Sequence, residues 1–156
     1  MFRPRAVVAI AVSYAVLVMP VAGSTTPALG TITAASSAHV GSATASTGST
    51  VFGGDHLSTE VAGNIQVRTG AARLRLSGAS SVSMGEDNGI PAATLLSGTA
   101  IFSTANAKAF ELHASSALIR AESDRPTVGQ VTYVSPKELQ VRSTRGSLAI
   151  TVEFPL

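Results

Sequence analysis

From residue 51 onward, apolar and polar residues take turns along the chain. Ile65 and Val67 alternate with Asn64, Gln66 and Arg68, and Ala72, Leu74 and Leu76 alternate with Ala71, Arg73 and Arg75. Val82 and Met84 continue the series. Ala100 and Phe102 come next, followed by Phe110, Leu112 and Ala114, then Ala117, Ile119 and Ala121. Val131 and Tyr133, Leu139 and Val141, and Leu148, Ile150 and Val152 complete it. A period of two puts one set of side chains on a core face and the other in solvent, the signature of β-strands. Gly54, Gly63, Gly70, Gly78, Gly85, Gly89 and Gly98 punctuate the runs. Strands bounded by turns about every seven to twelve residues predict an all-β sandwich, barrel or solenoid. Many inward residues are Ala, Val or Leu, which suits a thin core: a β-solenoid, β-helix-like, or a shallow sandwich of short strands. The best helical stretch, residues 100–114, also reads as strand, because Phe110-Glu111-Leu112-His113 alternates.

Upstream the signal is weaker. Residues 24–50 are rich in Ser, Thr, Ala and Gly. Residues 24–30 read as a flexible linker, while Thr31-Ile32-Thr33 and His39-Val40-Gly41 read as weak first strands. Thr144-Arg145-Gly146 predicts a hairpin between residues 138–143 and 147–153, and Ser135-Pro136-Lys137 predicts a turn. Residues 85–91 read as a polar loop carrying Glu86 and Asp87. Gly54-Asp55 reads as a turn in which Gly supplies positive φ and the carboxylate caps the backbone, with Thr59 at a strand edge.

Residues 1–23 have the layout of an export signal: Arg3 and Arg5, then an apolar run, then Pro20 and small residues. The alternative is an uncleaved membrane anchor. Either way, residues 24–156 are expected beyond the inner membrane, exported to the periplasm or cell envelope. There is no cysteine in the chain, which excludes a disulfide scaffold and any thiolate site. Without Arg3 and Arg5, the eleven basic residues fall to nine, equal to the nine acidic ones. Charge therefore gives no reason to expect a nucleic-acid partner.

Few residues offer chemistry. The histidines are His39, His56 and His113. Asp55 and His56 are neighbours, which on a strand point to opposite faces. Glu111 and His113 lie two apart and share a face, giving two ligands of the three or four a zinc site needs; His39 or His56 would have to complete it. Glu86 and Asp87 read as solvated acids, with weak calcium binding as the alternative. No nucleophile elbow, phosphate loop or dinucleotide fingerprint occurs. Arg68, Arg73 and Arg75 fall on polar faces of neighbouring strands, either as edge protection or as a stripe for an anionic partner. Tyr133 is the one aromatic after the leader suited to stacking on a sugar. The sequence thus assigns no catalytic, cofactor-binding or metal-binding residue.

The stretch Val51-Phe52-Gly53-Gly54-Asp55-His56-Leu57-Ser58-Thr59 resembles the opening of the FecR-like domain family. Residues 64–69, 72–76, 80–84, 95–102, 110–114 and 117–121 resemble the strands that follow in that family, and residues 128–152 resemble the C-terminal hairpins of its stand-alone members. The resemblance spans roughly residues 30–122, with residues 31–156 as the whole domain. It implies a periplasmic all-β sensing domain. Signalling members also carry a long cytoplasmic segment that holds a sigma factor. Here only Met1 to Arg5 precede the apolar run, so sigma-factor regulation by this chain alone is not expected. The combined reading is a non-catalytic binding, scaffolding or sensing module of the envelope, without cofactor, whose partner is another envelope protein. Membrane contact would come only through residues 1–23, if these are uncleaved. The alternatives are an envelope hydrolase using a histidine, or a truncated regulator of the sigma-factor pathway.

Overall fold

Alternation of this kind demands partner strands on both sides, and the computed structural model supplies them. It describes residues 26–153; the expected leader, residues 1–23, lies outside them. Twelve strands form: β1 (Ala28–Val40), β2 (Ala43–Thr44), β3 (Thr50–Phe52), β4 (His56–Thr69), β5 (Ala72–Leu76), β6 (Ser81–Asp87), β7 (Ile90–Thr104), β8 (Glu111–Ala114), β9 (Ala117–Ala121), β10 (Thr127–Ser135), β11 (Glu138–Arg145) and β12 (Leu148–Val152). The protein is all-β, as the alternation predicts.

Three long strands, β1, β4 and β7, bend midway and serve two sheets. The first sheet runs β11-β10-β7-β5-β4-β1-β3. The second runs β12-β9-β8-β7-β6-β4-β1-β2. β4 and β7 each pair with both β5 and β6, so these four strands close into a small barrel. Pairing is antiparallel everywhere except between β7 and β8. The solenoid expectation is thus corrected: a β-helix stacks parallel coils, whereas here hairpins fold over one another. Alternation looks the same in both architectures, because it records only which face is buried.

The inner faces of the two sheets share one core. Val67, Leu74 and Phe102 from the first meet Leu57, Met84, Leu95, Leu112 and Ile119 from the second. The rings of Phe102 and Phe110 pack with centroids 5.7 Å apart, within the favourable range for tilted aromatic pairs.

The bends coincide in space. Ser37 on β1 has φ 47°. Gly98 on β7 has φ +79°, and a Cβ there would collide with Ser80 Oγ. The β5–β6 connection, residues 77–80, crosses this line of bends from one sheet to the other.

Three local expectations change. Residues 24–30 are not all linker: β1 starts at Ala28, and Leu29 is buried. The two weak strands before residue 42 are halves of this one strand, bent by register shifts. The expected hairpin around Thr144-Arg145-Gly146 does not form. β11 pairs with β10 and β12 pairs with β9, so the segment crosses between sheets. The C-terminal hairpin is instead β10–β11, closed at the predicted Ser135-Pro136-Lys137 turn.

Candidate functional site

The outer face of the second sheet brings three ligand-type side chains together. On β8, Leu112 and Ala114 enter the core, so Glu111 and His113 share the opposite face. β8 runs beside β7, setting Ala92 opposite Glu111 and Thr94 opposite His113. β6 lies on the other side of β7, with Gly85 opposite Ala92 and Ser83 opposite Thr94. Asp87, two residues beyond Gly85, therefore projects from the same face.

Residues 85–91 are not a loop. Strand pairing continues to Asp87 and Ile90, leaving Asn88-Gly89 as a two-residue turn with φ of 53° and 80°. Asn-Gly is the preferred sequence for such hairpins because both residues accept positive φ. That dipeptide was the signal that could have placed Asp87 on a strand at a hairpin end.

The three groups converge. His113 Nε2 stands 3.4 Å from Glu111 Oε1 and 3.9 Å from Asp87 Oδ2, and one ligand atom from each residue falls within 4.8 Å of the others. Glu111 is 7% exposed, although it carries a carboxyl group. Among the described residues its Oε1 accepts no hydrogen bond. Burial, and next the neighbouring Asp87 carboxylate, push the Glu111 carboxyl above its ordinary value, against the opposing pull of His113. A cleft of about 440 Å³ lies alongside, lined by Ser83, Gly85, Asp87, Ala92, Thr94 and His113 among others. Gly85 and Ala92 give it a floor without bulk.

The other histidines do not join this cluster. His39 Nε2 bonds Glu60 Oε2 at 2.9 Å. His56 pairs across from Ser83, three strands from His113, roughly 14 Å at ordinary strand spacing. Glu86 is exposed, as a solvated acid should be, but Asp87 is half-buried. Among the described residues no serine hydroxyl is hydrogen-bonded to a histidine.

Two further surfaces stand out. On the outer face of the first sheet, Arg68 pairs with Arg73 and Gln66 with Arg75, while β11 adds Arg142 and Arg145. Arg68, Arg73 and Arg145 border one cleft of about 370 Å³. Among the described residues no arginine makes an ion pair, and β4 and β5 are paired on both sides, so Arg68, Arg73 and Arg75 protect no sheet edge and lie together on this face. The second surface is a mouth between the sheets. β11 and β12 are edges of different sheets and do not pair, so the core face runs out to solvent between them. Leu139, Val141, Ile150, Val152 and Ala117 line this hollow of about 490 Å³.

Gly54 and Asp55 form the expected turn: Gly54 has φ +93°, and the Phe52 N–H donates to Asp55 Oδ2 at 2.8 Å. Thr59 is not at an edge; it is buried at the line of bends. Tyr133 is half-buried and packs against the core. Compared with protein-family models, curated proteins and solved structures, the chain matches none.

Proposed function

We propose that this domain is a non-catalytic binding module of the cell envelope whose partner presents an extended segment of alternating apolar and acidic residues. The observation that carries the reading is the mouth between β11 and β12. Among the described residues each of these strands is bonded on one side only, which leaves a row of backbone donors and acceptors for a further strand. A segment added to β11 would turn every second side chain inward, toward Leu139, Val141 and Ile150. The intervening side chains would face outward beside Arg142 and Arg145. Strand addition of this type draws affinity from backbone bonds and specificity from alternate side chains. Placement in the envelope is supported by the layout of residues 1–23 and by the FecR-like resemblance of roughly residues 30–122, both of them features of the sequence.

A short peptide alternating Val and Glu, compared with its Val and Lys counterpart, tests this by fluorescence anisotropy on the full chain. The acidic peptide should bind roughly tenfold tighter, and Arg142→Glu should reverse the preference. Equal binding of the two peptides, or none, would refute the reading.

One observation favours a second reading, an envelope hydrolase: the His113 imidazole stands near two carboxylates beside a cleft that Ser83, two strands away, also lines. Turnover of ester substrates that disappears in His113→Gln and in Ser83→Ala would select it.

A further inference from the structure

We propose that Asp87, Glu111 and His113 bind a divalent first-row transition cation of the zinc type, pinning the tip of the β6–β7 hairpin to β8. The donor set is one imidazole nitrogen and two carboxylate oxygens. Zinc sits about 2.0–2.1 Å from such nitrogens and about 2.0–2.2 Å from such oxygens, which sets tetrahedral ligand atoms roughly 3.3 Å apart. The 3.4 Å between His113 Nε2 and Glu111 Oε1 already meets this. The 3.9 Å to Asp87 Oδ2 closes by rotation of a half-exposed side chain at a hairpin end.

Glu111 supplies the independent reason for a ligand. It is more than nine-tenths buried, its Oε1 faces the other two groups, and that oxygen has no hydrogen-bond partner. A buried carboxylate oxygen without a donor is costly. Three neutralising solutions exist: a proton shared with Asp87, an ion pair with a protonated His113, or a cation held by all three groups. The imidazole favours the cation, because its nitrogen stands at zinc-ligand spacing from Glu111 Oε1 yet makes no hydrogen bond with it. It also disfavours calcium and magnesium, which take all-oxygen shells. The cleft over Gly85 and Ala92 leaves the remaining coordination position open to water. His56, three strands away on the same face, is too distant to contribute.

The test is isothermal titration of the full, untagged, chelator-treated chain with ZnCl₂, with CaCl₂ and MgCl₂ in parallel. One zinc per chain should bind, and His113→Gln and Asp87→Asn should each weaken it at least tenfold. Circular dichroism shows whether each variant keeps its β spectrum. In the wild type, the ¹⁵N resonances of the His113 ring should shift on zinc addition, so the conclusion does not depend on the variants folding. Absence of zinc binding overturns the proposal. So does zinc binding that survives His113→Gln, or calcium bound in preference to zinc.

Discussion

The Ser80 backbone N–H donates to Thr59 Oγ1 at 2.9 Å, and the Thr59 hydroxyl donates onward to the Ser77 carbonyl at 2.6 Å. Ser80 continues the chain of bonds, its Oγ accepting from the Thr99 N–H at 2.9 Å. Two small buried hydroxyls thus satisfy the backbone where β4, β7 and the β5–β6 connection all leave regular pairing. A bend inside a sheet sandwich strands polar groups away from water, and these must find partners.

Thr59→Val keeps the shape and removes both bonds. It should cost about 1–3 kcal/mol, read as a lower urea midpoint with an unchanged slope. A midpoint equal to wild type would show that the corner does not need the hydroxyl.

Gly98 sits at the same corner, with Ser80 Cα 2.5 Å from where its Cβ would be. Gly98→Ala should therefore cost about 3 kcal/mol, from positive φ and overpacking together. Gly41, with φ +61° and open space around it, is the control: Gly41→Ala should cost only about 1 kcal/mol. Thermal melts of the pair separate backbone strain from steric conflict.

Ile119 and Ile150 face each other across β9 and β12. Ile119 is 0% exposed and Ile150 49% exposed. Ile119→Ala should destabilise by about 2–5 kcal/mol, whereas Ile150→Ala should cost below about 1 kcal/mol. Chemical denaturation of both checks that the mouth is open. Equal losses would mean that Ile150 is covered.

Because burial raises the Glu111 carboxyl, the cation-free folded state holds a proton there that the unfolded chain has released. Stability should then fall as pH rises from the ordinary glutamate value to the raised one, and level off above it. Glu111→Gln should flatten that decline and be more stable than wild type at neutral pH in chelator. Urea midpoints across the acid range measure both.

Local pattern alone determined that this protein is built from strands, because alternation fixes which side chains face the core whatever the strands pair with. Leu74, Phe102 and Ile119 are inward on that ground, and Arg68, Arg73 and Arg75 outward. The Gly54-Asp55 turn was equally legible, since its chemistry is local. Pairing was not: one sequence of alternating residues serves a coil, a flat sheet or a closed ring. Only the tertiary structure made β1, β4 and β7 bend between two sheets. That bending, with the tight Asn88-Gly89 turn, carried Asp87 to Glu111 and His113 and left His39 and His56 elsewhere. Such convergence depends on strand order and register, which long-range packing sets and no short window of sequence contains.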